Sequence, residues 1–354
     1  MGGPGDIGVL PSPRAVLTRV RGRVERILRP GGRAIVLLYH RVGEDLDSYG
    51  LCVTPDHFEE HLQVIRRVAR AARISEVADG VRSGRVPDRA VCVSFDDGYV
   101  DNLYAAAPIL ERYDVPATVF VTTGRGGRDR EFWWDELERA FLAPEHVPHT
   151  LELEIAGQRH VWELGPDAVR MPHDVRWHEP WHLDDETAPT LRHAAFRDAH
   201  AVIKPLPEHE RTRVLDALAA WSGVTSAHVR PSRRAMEPNE VVDLARGGLV
   251  EVGAHTVSHP QLSAHPAPVQ REEIGRSKAD LETWLGAPVS GLAYPYGDYD
   301  DASIAAARDG GFRYACSCIY RAARRGDNPY TLPRVEVRDV DGDTLADALR
   351  WHLR

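Results

Sequence analysis

The sequence predicts an α/β fold in which parallel strands alternate with helices, interrupted once by a mainly helical insertion. Three observations predict it. Short, continuous apolar runs suited to buried parallel strands recur along the chain, with helical spacing between them. The alternation stops at Gly124 and resumes after Pro238. Two clusters of Asp and His each follow a β-like run, at the end where parallel α/β folds gather their active-site groups.

The first run, 34–39, reads Ala-Ile-Val-Leu-Leu-Tyr and is expected to be a fully buried strand. Residues 55–72 follow with Phe58, Leu62, Ile65 and Val68 on one helical face; Thr54 is placed to cap that helix and Pro55 to open it. A strand at 90–95, a helix at 103–112 and a strand at 117–122 continue the pattern. From 124 to 236 the reading is mostly helical and polar, and holds six of the eight tryptophans. Residues 151–155 alternate strictly before Gly157, which predicts a small hairpin with 159–164. Helices are then expected at 238–246, 269–285, 302–310 and 344–353, and strands at 249–253, 291–294, 312–317 and 332–337. The tryptophans of the insertion form either its own small core or a stacking surface for a sugar, with Trp133, Trp134, Trp177 and Trp181 as candidates for the latter.

The first polar cluster is Asp96-Asp97 at the end of the 90–95 run; the second is His255 and His259, four residues apart after the 249–253 run. Two His and one Asp supply three ligands to a divalent metal with a position left for water, the composition of a hydrolytic site. The remaining Asp is then available as a base. Adjacent strand residues point to opposite faces, but at a strand end the chain turns, and Gly98 permits an unusual backbone angle. Each cluster also has a bland reading, a turn for Asp96-Asp97-Gly98 and capping or surface roles for the histidines. A zincin helix is excluded, because Thr256 stands where that motif needs Glu.

The segment Ser94-Phe95-Asp96-Asp97-Gly98 resembles the first motif of the polysaccharide deacetylases, the NodB-homology or carbohydrate esterase 4 family. His255-Thr256-Val257-Ser258-His259 resembles their second motif, and Leu292-Ala293-Tyr294-Pro295-Tyr296-Gly297 the third, in the branch that writes it Tyr-Pro-Tyr-Gly. Leu38-Tyr39-His40-Arg41-Val42 is also typical of that branch. The four pieces occur in family order, over about residues 34–123 and 235–340. The resemblance implies a distorted (β/α)7 barrel. It also implies Asp97, His255 and His259 as metal ligands, Asp96 as general base, and the backbone N–H of Tyr296 as a donor to the oxyanion. The ligand types favour Zn²⁺, with Co²⁺, Ni²⁺ or Fe²⁺ also compatible.

Two departures from the family pattern matter. The third motif commonly carries an Arg three residues before the Tyr, and Ala293 stands there. We expect Arg334 to take over its work, because a guanidinium can fix a carboxylate by two parallel hydrogen bonds. The fifth motif commonly carries a His that acts as general acid; the matching region, 331–337, has none. His40 is the nearest substitute by placement, either as a proton carrier or through a structural or substrate hydrogen bond.

These readings divide the chain into a basic amphipathic helix within 1–33, a barrel formed by 34–123 and 237–354, and an inserted subdomain at 124–236. The activity implied is metal-dependent hydrolysis of an N-acetyl group from an amino sugar in a glycan, glycolipid or glycosylated small molecule. The alternatives are a C–N hydrolase acting on a non-sugar amide and an inert sugar-binding module. Retention of both Asp and both His argues against inertness.

Composition narrows the partners. A net charge of −9 provides no global basic field for nucleic acid. Nearly all positive charge is Arg; Lys204 and Lys278 are the two lysines, which we read as compositional bias. Four scattered cysteines make no disulfide framework. Cys316 and Cys318, two apart on an expected strand, should point the same way, but a Cys-x-Cys metal half-site has no second half. No stretch reaches transmembrane length, and the N-terminus lacks a signal-peptide pattern, so a cytoplasmic protein is expected. Residues 14–29 could lie on an anionic membrane surface as a peripheral contact or cap one end of the barrel.

Overall fold

The computed structural model describes residues 32–45, 47–125, 130–171, 175–177, 181–225 and 229–353. The basic helix expected at 14–29 lies outside them. In chain order the strands are β1 (Arg33–Tyr39), β2 (Arg41–Val42), β3 (Cys52–Val53), β4 (Arg70–Ala71), β5 (Ala90–Phe95), β6 (Ala117–Val121), β7 (Thr150–Ile155), β8 (Gln158–Glu163), β9 (Val250–Ala254), β10 (Gly291–Ala293), β11 (Tyr314–Cys316), β12 (Ala323–Arg324) and β13 (Val335–Glu336). The helices are α1 (Pro55–Val68), α2 (Ile74–Ser83), α3 (Ala107–Tyr113), α4 (Trp133–Leu142), α5 (Leu191–Ile203), α6 (Glu208–Ser222), α7 (Pro238–Arg246), α8 (Ala267–Leu285), α9 (Asp301–Asp309) and α10 (Gly342–His352).

Six parallel strands lie in the order β11-β10-β9-β6-β5-β1. The segment from Leu332 to Glu336 then runs between the two ends: Leu332 bridges Cys316, and β13 pairs with β1. This seventh stave curls the sheet into the distorted (β/α)7 barrel. The expected strand at 332–337 is reduced to two paired residues because Pro333 has no N–H to give the ladder. The expected strand at 312–317 is likewise short. After Cys316 the Ser317 N–H and hydroxyl both turn to the Leu332 carbonyl. Cys316 is therefore buried while Cys318, off the strand, is exposed, and the two do not share a face.

Strand periodicity decides what fills the bore. Ala34 and Val36 of β1, Ala90 and Cys92 of β5, Phe120 of β6, Ala293 of β10 and Tyr314 and Cys316 of β11 form one buried cluster. Ile35, Leu37, Val91, Val93 and Val119 form another, under the helices. Small residues in the bore make room for two large rings. A Cβ on Gly253 would sit 2.4 Å from the Phe120 ring, and one on Gly291 2.5 Å from the Tyr314 ring. Helix α2 closes the far end with Ile74, Val77, Ala78 and Val81. This helix was not expected, although those four residues carry helical spacing.

Two other departures have local causes. Helix α1 stops at Val68, and the chain beyond it adds β4 to the edge of β5. The expected helix at 103–112 begins with a π-helical turn, Asn102–Ala106, before α3; Pro108 removes one intrahelical donor there. As expected, Thr54 caps α1, its hydroxyl accepting from the His57 N–H at 3.4 Å, with Pro55 in the first turn.

Between β6 and α7 the chain builds α4, the β7–β8 hairpin, α5 and α6 around a separate apolar cluster that includes Trp133, Phe141, Leu153, Phe196 and Leu218. Buried charge joins this region to the barrel. Arg233, 2% exposed, is 2.9 Å from Asp135 of α4 and 3.0 Å from Asp45. Arg41 lies beside it, 3.3 Å from both Asp47 and Asp101. Such a cluster offsets its own desolvation only while every charge keeps its partners. Replacing Arg233 with Met is expected to cost about 3–5 kcal/mol, the scale for removing one partner of a buried pair. Urea unfolding of the variant would read this as a lower midpoint with unchanged slope.

Candidate metal centre and active site

The same periodicity that fills the bore aims the site. Residues 90 and 92 of β5 face inward, and continuing by twos puts Asp96 at the mouth. His40 continues the inward set of β1, and His255 the inward set of β9 that holds Gly253. Asp97 breaks the alternation. It takes the left-handed conformation itself, at φ 72°, so that its carboxylate turns toward the same mouth. The sequence analysis had assigned this freedom to Gly98 alone; both residues share it. Four of the seven described non-glycine residues with positive φ belong to the site loops: Asp97, Thr256, His259 and Tyr296. Clustering of this kind marks sites whose geometry the surrounding structure holds against local strain.

Asp97, His255 and His259 converge. Oδ1 of Asp97 is 3.5 Å from Nε2 of His255 and 3.3 Å from Nε2 of His259. One ligand atom from each lies within 4.8 Å of the others. All three side chains are buried, and Asp97 Oδ1 has no hydrogen-bond partner. His255 Nδ1 lies 2.8 Å from the carbonyl of Ala293, which accepts its proton and leaves Nε2 as a lone-pair donor. Burial first, then the Asp96 charge, would push the Asp97 carboxyl well above its ordinary range. Burial likewise lowers His255 to about 4 and drives His259 well down. A buried acceptor without a donor beside two neutral imidazoles is a donor set that fits a divalent cation.

Asp96 has a different partner. Arg334 Nη1 and Nη2 donate to Oδ1 and Oδ2 at 2.7 Å each, and Nε donates to the Ser317 carbonyl at 3.0 Å. Burial alone would raise the Asp96 carboxyl, but Arg334, with His255 and His40, outweighs it and holds Asp96 below the ordinary range. The two neighbouring carboxyls are thus pushed apart, a pattern that separates a base from a ligand. Arg334 is 1% exposed and lies above the Phe120 ring.

The loop 255–259 is clamped from two sides. Glu273 of α8 accepts from the backbone N–H of Val257 and Ser258 and from the Ser258 hydroxyl, at 2.8–2.9 Å. Arg211 of α6 donates to the carbonyls of Ser258 and His259. Sequence reasoning missed both residues, since each lies in a helix with no local signal tying it to the histidines. Tyr296 is held by its side chain. Its hydroxyl accepts from Trp133 Nε1 at 2.9 Å, and its ring meets His259 edge to face at 4.5 Å.

These groups open on a cavity of about 300 Å³ lined also by His40, Tyr49, Trp134, His200, Lys204 and Glu336. Of the four tryptophans considered for sugar stacking, Trp134 alone is in this lining, its ring 4.7 Å from His259. Trp134 Nε1 donates to the Tyr99 hydroxyl, which donates on to Asp135. Trp133 is buried against Tyr296 and His200. Trp177 and Trp181 pack on His193 instead, because the described part of 175–190 folds onto α5. Burial lowers His40 from its ordinary value, with Asp96 and Glu336 acting against it.

The family model described as polysaccharide deacetylase matches residues 83–178 and 205–315. A candidate polysaccharide deacetylase of Bacillus subtilis, YxkH, is 26% identical over 98 residues, which is 28% of this chain and 35% of that protein. The chain therefore spans about a third of the length of the curated relative it matches. Among solved structures, the Streptococcus pyogenes deacetylase PplD, determined with acetate, superposes with TM-score 0.54 at 16% identity, covering 90% of this chain and 98% of that one. IcaB from Ammonifex degensii gives 0.53 at 18% identity, covering 91% and 98%. At these identities the likeness is one of fold.

Protein stripped with a chelator and dialysed against Zn²⁺ is expected to take up about one equivalent, the stoichiometry of a three-ligand site. His255→Ala should take up little while keeping the wild-type circular dichroism spectrum. Full occupancy in that variant, by elemental analysis, would remove His255 from the ligand set.

Proposed function

The chain belongs to the polysaccharide deacetylase family, and from that premise we propose that it hydrolyses the N-acetyl group of an amino sugar in a glycan, glycolipid or glycosylated small molecule. The observation that carries this reading is the division of labour between two adjacent carboxylates in one cavity: Asp96 forked by Arg334, Asp97 set between two imidazoles. A binding module would have no use for a buried base held ionised beside a ligand set.

In this reading Asp97, His255 and His259 hold one divalent cation, Zn²⁺ by donor type. When bound, the cation would lower the pKa of water and polarise the acetyl carbonyl. Asp96 takes the proton of the attacking water, with Arg334 fixing the direction of its lone pairs. The Tyr296 backbone N–H is assigned to the oxygen that becomes negative; a fixed amide dipole at that point contributes about 2–4 kcal/mol. His40, neutral in its pocket, is assigned a hydrogen bond to substrate. Trp134 provides the aromatic wall against which a sugar face can rest. We read 34–123 and 237–354 as the catalytic barrel and 124–236 as the insertion that shapes the substrate pocket. Among the described residues no helix is long and apolar enough to cross a membrane.

The test is release of acetate from a panel of N-acetylhexosamines, their oligomers and non-sugar acetamides by the metal-loaded protein. Release from acetamides alone would favour the general C–N hydrolase. Asp96→Asn is expected to keep the metal and lose turnover by about 10²–10⁴, the scale of general-base catalysis. Loss of metal together with high residual activity would reverse the roles of the two aspartates.

Arg334→Lys keeps a charge but loses the fork. Asp96 must be ionised to act, so activity falls as pH drops through its pKa. The guanidinium depresses that pKa, and losing the bidentate contact should move the acidic limb of the pH–rate profile upward and lower kcat. An unchanged limb with near-normal kcat would show that Arg334 does not tune Asp96.

A further inference from the structure

Hydrolysis of an acetamide needs a proton for the departing amine, and the histidine that supplies it elsewhere in the family has no counterpart in 331–337. The cavity offers few candidates. His200 stacks on Trp133, and burial, with Lys204 beside it, lowers it to about 3, so it is neutral and a poor donor. His40 is also lowered by burial.

Lys204 is different. It follows α5 as its C-cap and lines the same cavity as Asp96, Asp97 and the two ligand histidines. Its Nζ stands 4.2 Å from the centre of the Tyr296 ring, whose edge-to-face partner is His259. Among the described residues, no carboxylate lies within ion-pair distance of it. Composition adds a second, independent argument. Of 44 Lys and Arg residues two are lysine. Lys278 is paired with Glu282 at 2.8 Å, one turn along α8, and lies over the Phe312 ring, an ion pair and ring contact that either cation can make. For binding an anion, arginine is the better group and this chain's default. What lysine can do and arginine cannot is give up a proton near neutral pH.

We propose that Lys204 is the proton donor to the leaving amine, a role that rests on the N-deacetylase reading above. As the tetrahedral intermediate collapses, the C–N bond breaks, its electron pair stays on nitrogen, and a proton passes from Nζ to that nitrogen. Asp96 holds the proton taken from the attacking water; both groups exchange with solvent, and the net reaction is amide plus water to ammonium plus acetate. Burial lowers Lys204 below the ordinary lysine value, the direction a donor working near neutrality requires. The groups that set its environment are Asp298 and Cys318, which raise it, His200 on its own helix, and the Tyr296 ring.

The experiment compares two substrates on metal-loaded wild type, Lys204→Met and Lys204→Arg. N-acetylglucosamine oligomers have an amine leaving group that must be protonated; 4-nitrophenyl acetate has a phenolate that leaves unaided. The expected result is a loss of about 10²–10⁴ on the oligomer in both variants, the scale of general-acid catalysis, with ester hydrolysis and metal content near wild type. Equal losses on both substrates, no loss on either, or rescue by Arg would overturn the proposal in favour of a structural or purely electrostatic role. A wild type active on the ester but on no N-acetyl sugar would overturn the parent reading instead. With two lysines in the chain, selective ¹⁵N-lysine labelling gives two side-chain signals, assigned through Lys278→Arg. A Lys204 signal titrating at or above the ordinary lysine value would also count against the proposal, independently of turnover.

Discussion

The contact on which the rest of this site depends is the fork between Arg334 and Asp96. It joins the last barrel segment to β5 across β1, so the same two hydrogen bonds that orient the carboxylate also tie the closing stave to the sheet. A buried pair of this kind is costly to desolvate, and it is tolerable only because its remaining donors are used. Arg334 Nε has the Ser317 carbonyl, and the guanidinium face has the Phe120 ring. Ser317 in turn holds Leu332, so barrel closure and the orientation of the Asp96 carboxylate are one arrangement.

The ligand loops carry the complementary constraint. Thr256 and His259 both have positive φ, and their loop would not hold that shape unaided. Glu273 and Arg211 both fix it, one from α8 and one from α6. The region between β6 and α7 thus reaches the candidate metal centre structurally as well as lining the pocket, through Arg211, through Trp133 on Tyr296, and through the charges around Arg233.

Much of this geometry is legible in the sequence. Period two along β5 and β9 is enough to point Asp96 and His255 into the mouth, because Ala90 and Cys92 precede Asp96, and Gly253 precedes His255, on the bore side. The absent motif arginine pointed to Arg334, since a barrel brings its last strand next to its first, and Arg334 does contact Asp96; the catalytic roles of the pair are part of the proposal. What could not be read shares a physical cause, namely side chains whose partners are remote in sequence. Arg41 finds the Ser232 carbonyl 191 residues away. Trp177 and Trp181 looked like sugar platforms because composition does not say which of several aromatics reaches the cavity. Pro333 was read as part of a strand over 332–337, whereas its missing N–H shortens that strand to two residues.

The filled bore has a consequence for traffic. Among the described residues the Phe120 and Tyr314 rings fill the interior and α2 closes the far end, so the catalytic-end cavity opens at the mouth of the barrel and not through its bore. On the proposed reading the acetyl group would enter foremost and the acetate would come to lie behind the sugar, so release would be ordered, with the sugar clearing the doorway before its own by-product.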